Sequence, residues 1–359
     1  MIALLIFIFV LGIVIISHEF GHFIVAKKIG VRVEKFSFGF GRALLKAKKG
    51  DTEYALSSIP LGGYVKLAGD NFEEFKGKPD EYLSRPPGQR AAIVFFGPLF
   101  NYILGFLCFW FIFFSGYPTL TTKVGGLLDD FGAKSSGMQI GDKIIAVEGN
   151  KVFYWDDLQK EVQANRANKF LNISVLRVDK QYDFKVEIKS KELGDTLGQK
   201  RSFGLIGITP ADEIVKVRHG PLKSLGLAGI KTLDMTVTTY KALWYLVTGK
   251  LSMRESMTGP LGIFLITSKA AALGFTALLH LIAVLNISLA IFNLLPFPVL
   301  DGGHMVLLTV EKIRGKMISE KFERAMNQVG ISLLLFLAVI VTYNDLMRIF
   351  GDKISKLFK

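Results

Sequence analysis

Two histidines flank a glutamate in the stretch HEFGH, His18 to His22. On a helix, positions i and i+4 differ by about 40° in direction, so both imidazoles project from one face. Such a pair can hold one metal ion, and Glu19 beside it can act on a water at that ion. A metal held by two histidines, with one position left for water, still lacks a protein ligand. NLLPFPVLDGGHM, residues 293–305, offers Asp301 and His304. Asp301 follows Pro296 and Pro298 and precedes Gly302 and Gly303, an irregular backbone that lets a carboxylate reach into a cavity. The same residue can instead cap a helix beginning near Gly303. His304 lies about one turn further on and is expected beside the site, touching its ligands or the membrane interface. His280 reads as a hydrogen-bonding residue within a helix bundle, and His219 as a solvated one.

These residues stand in unusual company. The run before them, MIALLIFIFVLGIVIIS, carries no charged side chain. Ionisable groups at the edge of such a segment cost on the order of 2 to 3 kcal/mol each unless compensated, and a bound divalent cation compensates directly. The chain has 359 residues, half of them apolar, and a mean hydropathy of +0.38. Four windows approach the roughly 18 to 20 apolar residues that cross a bilayer: 1–26, 91–117, 270–295 and 330–350. The first has no basic n-region and no small-x-small site before Ser17, so it is expected to be a retained span and not a cleaved signal. The net charge of +13 is concentrated after that span, at Lys27, Lys28, Arg32, Lys35, Arg42, Lys46, Lys48 and Lys49. The positive-inside rule then puts residues 27–90 and 296–329 in the cytoplasm and 118–269 outside. It removes the case for a nucleic-acid partner. The single cysteine, Cys108, lies in the second span and says nothing about redox compartment.

Between the spans, residues 27–90 read as a membrane-associated β region, because VRVEKFSFGFG and TEYALSSIPLGGYVKLAG alternate and carry glycine and aromatic residues. A sheet at membrane depth is tolerated only against protein or a wet cavity. Residues 122–210 read as a soluble module and a following strand. GMQIGDKIIAVEG, the helix in WDDLQKEVQANRA and the strands of KFLNISVLRVDKQYDFKVEI follow the order of a bacterial PDZ domain. Residues 211–269 are expected to form an amphipathic helical region outside the membrane, and 296–329 the LDGG loop with a cytoplasmic helix. The fold class is thus a multi-span α-helical membrane protein with about four transmembrane helices, a β-hairpin or sheet at the membrane and one extramembrane PDZ domain.

HEFGH in the first span, GPLFN (Gly97 to Asn101) in the second, the PDZ-like module and NLLPFPVLDGG after the third together resemble the site-2 proteases, and within them the bacterial RseP-type intramembrane zinc metalloproteases. FGFG (Phe38 to Gly41), PLGGYVKLAGD and TGPLGI (Thr258 to Ile263) extend the resemblance to nearly the whole chain. It implies zinc bound by His18, His22 and Asp301, Glu19 as catalytic base, and Asn293 in contact with substrate. RseP itself carries two PDZ domains where this chain has room for one, which leaves substrate screening open.

The resemblance implies peptide-bond hydrolysis within the bacterial cytoplasmic membrane. Its substrates would be single-span proteins such as anti-sigma factors or remnant signal peptides, already trimmed by another protease. A helical substrate must unwind before cleavage, and an exposed strand edge at Tyr64, Val65, Lys66 and Leu67 can pair with it by β-augmentation. The expected partners are these substrates and the surrounding lipid, with the extracytoplasmic PDZ domain as a filter. A catalytically silent, PDZ-presenting scaffold is the rival reading, and intact HEFGH with LDGG counts against it. A metal transporter would want several acidic ligands along a path, where only Glu19 and Asp301 stand out.

Overall fold

The computed structural model describes every residue except Met1, 195–199, 253–256 and 358–359. Parts of the expected 122–210 module and 211–269 helical region therefore lie outside the described residues. The chain divides into two compact units. The first comprises 1–112, 221–243 and 253–359, and the second 113–220 and 244–252.

The first unit is helical because its sequence is apolar over long runs. Helix α1 (Ile2–Ile29) is hydrophobic all round, with Leu4, Leu5, Phe9 and Ile16 exposed on its outer side. That distribution suits lipid rather than water. Helix α2 (Pro87–Ser115) starts with proline at its first position, where no backbone donor is needed. Its inward face is a stripe of Arg90, Ile93, Val94, Gly97, Asn101, Gly105 and Cys108, spaced three and four apart and all buried. Among the described residues, four helices are long and apolar enough to cross a membrane: α1, α2, and two later helices described below.

Between α1 and α2 lie β1 (Val33–Lys49) and β2 (Thr52–Leu67). Their register is more folded than a simple hairpin. Lys49 opposes Thr52 and Ala43 opposes Ser57, yet Phe36 is paired both with Tyr54 and with Val65. The first half of β1 is therefore flanked by two segments of β2. Gly39 and Gly41, at φ 91° and 83°, permit the turn in the middle of β1. Segment 63–67 pairs with β1 on one side only, and no other described strand pairs with it.

The second unit has its own core. In chain order its elements are β3 (Tyr117–Leu120), β4 (Val124–Leu127), α3 (Gly132–Ser135), β5 (Lys143–Val147), β6 (Asn150–Lys151), α4 (Trp155–Ala164), β7 (Phe170–Arg177), β8 (Lys180–Glu187), β9 (Lys189–Gly194), β10 (Lys200–Leu205), β11 (Ile208–Pro210) and β12 (Ile214–Val217). A four-stranded antiparallel sheet in the order β6-β5-β7-β8 presents Ile144, Val147, Leu171, Ile173, Val175 and Val186 to Trp155, Leu158 and Val162 of α4. Asp142 is buried. Burial alone would raise its pKa, but two bonds from Arg177 and one from the Gln139 N–H hold it below the ordinary carboxylate range.

Helix α5 (Pro221–Val247) leads back to the first unit. The sequence places it in an extramembrane region. In the structure the Trp110 indole donates to Pro221 O, and the Tyr102 hydroxyl lies 2.9 Å from Thr236 Oγ1, so α5 runs alongside α2. Leu225, Ile230, Leu233 and Val237 are exposed on its other side. Helix α6 (Pro260–Leu273) packs Phe264 against Phe7 of α1, with ring centroids 5.6 Å apart. Gly274, at φ 103°, separates it from α7 (Phe275–Asn293), so the third apolar span begins at residue 275 and not 270. Prolines end α7, and α8 (Asp301–Arg314) follows. Its end is closed by Gly315 in the left-handed conformation. Helix α9 (Glu320–Leu357) is the fourth apolar span. Its buried Asp345 accepts from Gly262 N–H at 2.8 Å, at the start of α6.

Candidate metal centre

His18 lies about 24 Å along α1, within its apolar run. One helical turn on, His22 Nδ1 is 2.8 Å from the carbonyl oxygen of Ile93 on α2. Donation to that carbonyl fixes the neutral ring with Nε2 bare and turned inward. The two Nε2 atoms are 3.1 Å apart. Asp301, the first residue of α8, brings Oδ2 to 3.1 Å from His18 Nε2 and Oδ1 to 3.6 Å from His22 Nε2. Among the described residues these three form the group whose ligand atoms all lie within 4.8 Å of one another.

The donor set suits zinc. Bonds of about 2.0 to 2.1 Å in a tetrahedron put ligand atoms roughly 3.3 Å apart, close to the spacings seen. Asp301 Oδ2 is buried and without a hydrogen-bond partner. An unpaired buried carboxylate oxygen is expensive, and a cation is the direct remedy. Two nitrogens and one oxygen leave one position open, the pattern of catalytic sites rather than structural ones.

Close backbone packing holds the ligands in place. A Cβ on Gly97 would fall 2.3 Å from His22 Nε2 and 3.0 Å from His18 Cε1, and one on Gly21 would fall 2.1 Å from Phe96 O. Glycine at both places lets α1 and α2 touch behind the imidazoles. Asp301 is the N1 residue of α8, with Leu300 as cap, so its carboxylate is not spent capping that helix. A Cβ on Gly302 or Gly303 would meet Leu295 O or Phe297 O at 2.2 Å, and the helix start is thereby seated on the proline-bearing loop. Val299 in that loop is held at φ 75°, a strained conformation for a β-branched residue.

The other expected residues are distributed around this group. The Asn293 amide nitrogen stands 3.5 Å from both ring nitrogens of His18. A Cβ on Gly63 would lie 3.4 Å from Glu19 Cγ, and the Val65 backbone N–H faces the Glu19 carboxylate. The free edge of segment 63–67 thus passes the glutamate. Val65 and Leu67 line a cavity of about 290 Å³ together with Glu19, His22, Asp301 and His304. Tyr64 and Lys66 face away: Tyr64 stacks on Phe40, and Lys66 pairs with Glu74 at 3.0 Å. Only their backbone is available at the edge. The cavity continues to Asp70, Tyr82, Arg90 and Glu311. Burial pushes the Asp70 carboxyl up, against the hydrogen bond it accepts from Leu67 N–H, and burial raises the Tyr82 phenol. His280 packs edge-on against Phe109, 5.4 Å between centroids, far from the triad in the bundle.

Sequence reasoning did not identify the roles of Ile93 O, Gly21 and Gly97, nor the Arg90–Glu311 pair. The three-and-four spacing of small and polar residues along α2 is the signal that marks its inward face.

Spanning helices that converge a histidine pair, an aspartate and a neighbouring glutamate define a multi-pass membrane metalloprotease. Residues 6–337 match the model of Peptidase family M50, and the chain belongs to that family of zinc metalloproteases. A Campylobacter jejuni protein is 32% identical over 350 residues, covering 96% of this chain and 93% of the relative. A Brucella suis protein is 35% identical over 358 residues, covering 95% and 94%. Both bear the name "putative zinc metalloprotease".

Proposed function

We propose that the protein cleaves peptide bonds inside the transmembrane segments of single-span membrane proteins. Anti-sigma factors and remnant signal peptides are the substrate class, in the bacterial cytoplasmic membrane. The observation that carries this reading is the position of the triad. His18, His22 and Asp301 meet within an apolar span, around a buried carboxylate oxygen that has no other partner.

His18, His22 and Asp301 would hold the zinc. When bound, zinc supplies a Lewis acid that polarises the scissile carbonyl and lowers the pKa of a water towards about 7. Glu19 takes the proton of the attacking water and returns it to the leaving amine. The Val65 N–H beside Glu19 lies on a free strand edge, which pairs with an unwound substrate and holds it extended. Asn293 beside His18 offers an amide to a freed backbone group. The cavity running from Glu19 to Asp70 and Glu311 gives water a polar route to a centre otherwise surrounded by apolar side chains. The second unit, read as a PDZ domain on the extracytoplasmic side, acts as a substrate filter.

The test is cleavage of a model transmembrane substrate by wild type and Glu19→Gln, with zinc measured in both. The variant is expected to keep stoichiometric zinc and to lose about 100- to 10,000-fold in rate. Near-normal turnover would remove Glu19 as the base. Wild-type cleavage confined to soluble peptides would remove the intramembrane substrate class.

A further inference from the structure

The cavity is also lined by an ion pair that takes no part in the proton transfers above. Arg90 of α2 and Glu311 of α8 are 221 residues apart in sequence, and their side chains are 4% and 9% exposed. Arg90 Nη2 donates to Glu311 Oε1. Arg90 Nε donates to Arg85 O at 3.0 Å, and the guanidinium lies over the Tyr82 ring. Its plane is therefore fixed from two further sides. Buried ion pairs contribute little net stability compared with apolar residues of the same size, and their best-attested use is to fix register.

The register at stake here is that of the metal ligands. Arg90 lies one turn before Ile93, the residue whose carbonyl orients His22. Glu311 lies about 15 Å along α8 from Asp301, the third residue of the triad. The start of α8 is seated by Gly302 and Gly303 against the carbonyls of the preceding loop. A single seat leaves a helix free to roll about its axis. A roll of roughly 10° moves a carboxylate some 6 Å off the axis by about 1 Å. Metal ligands tolerate only about 0.2 Å.

We propose that Arg90 and Glu311 are a positioning pair that fixes the roll of α8 against α2, and so sets the reach of the Asp301 carboxylate to an ion held by His18 and His22. The inference rests on the reading of those three residues as the zinc ligands.

The test uses the full chain in detergent, loaded with Co²⁺, whose visible absorption reports ligand geometry. Glu311→Gln keeps the side-chain shape and removes the charge. It is expected to weaken Co²⁺ affinity about 10- to 100-fold and to change the visible bands, with cooperative thermal unfolding retained. Wild-type affinity and bands in the folded variant would overturn the proposal. Should Glu311→Gln fail to fold, Glu311→Asp keeps the charge and withdraws it by one methylene. Altered bands are expected there too, and wild-type bands would equally overturn the proposal. Arg177→Gln breaks a buried pair in the second unit and is expected to leave the bands unchanged. A matching change there would make the effect one of general stability and overturn the positioning role. Asp301→Ala separates the two levels of the argument. If it keeps wild-type cobalt bands, the ligand assignment itself fails. If it loses them while the folded Glu311 variants do not, only the positioning role fails.

Discussion

At the scale of the residue, the question is which side chain completes the metal site. Asp301 lies within 3.1 Å of His18 Nε2, while His304 is one turn further along α8 and lines the cavity. A carboxylate also reduces the charge of a three-ligand site from +2 to +1, which is cheaper to keep near hydrocarbon. Asp301→Ala is expected to abolish both stoichiometric zinc and cleavage. His304→Ala is expected to retain zinc and to lose at most about 10- to 100-fold in activity. Zinc analysis and turnover of the two variants check this, and the reverse pattern would reassign the ligand. HEFGH and LDGG were legible because their spacing is local: i and i+4 on one helix, and an aspartate between prolines and glycines. The partner of His22 was not legible, because a main-chain carbonyl carries no residue identity. The partner of Glu311 was not legible either, since nothing local ties it to a residue 221 positions away.

At the scale of the element, the alternation in residues 31–69 revealed strands but not their pairing. The pairing of Phe36 with both Tyr54 and Val65 depends on turns at Gly39 and Gly41 that no period reports. The result is an edge whose Val65 N–H meets the glutamate. Val65→Pro removes that donor while leaving the triad untouched. It is expected to reduce cleavage of a transmembrane substrate by about 10-fold or more while zinc stays stoichiometric, a loss comparable to one charge-assisted hydrogen bond. Parallel loss of zinc would indicate misfolding, and unchanged cleavage would remove strand pairing from the mechanism. Helix α5 shows the other limit of periodicity. Its amphipathic pattern read as extramembrane; in the structure Thr232 and Thr236 face protein, while Leu225, Ile230, Leu233 and Val237 are exposed together with Lys223, Asp234 and Lys241. Amphipathicity alone does not say which side of a helix faces its neighbours.

At the scale of the whole molecule, the candidate site residues fall in one of the two compact units. All of the triad, Glu19 and Asn293 belong to the first unit. The second has a self-contained core of Ile144, Val147, Leu171, Ile173 and Val175 beneath α4 and, among its described residues, no group of candidate metal ligands. Deleting residues 122–190, with the ends bridged, is therefore expected to leave hydrolysis of a short transmembrane substrate within about threefold of wild type, as for domains with independent cores. An intact substrate with a bulky ectodomain should then be cut without prior trimming. Continued rejection of that substrate would remove the filter role.

The glycines of the α1–α2 seam bear on how traffic reaches the centre. With Phe96 O against Gly21 and both imidazoles against Gly97, not even a methyl group fits between the two helices. That flank is a sealed wall, and parting it to admit a guest would dismantle the very ligands the guest must meet. On the function proposed above, a substrate arriving in the plane of the bilayer would not enter through this seam. Stapling the wall should cost nothing. Phe20 and Phe100 meet across it with ring centroids 5.7 Å apart. Phe20→Cys with Phe100→Cys, joined by a short bifunctional reagent, is expected to keep turnover within about twofold of the same double variant left unlinked, since the link only holds a close-packed contact that is already shut. A block on linking would mean that the wall itself is the door.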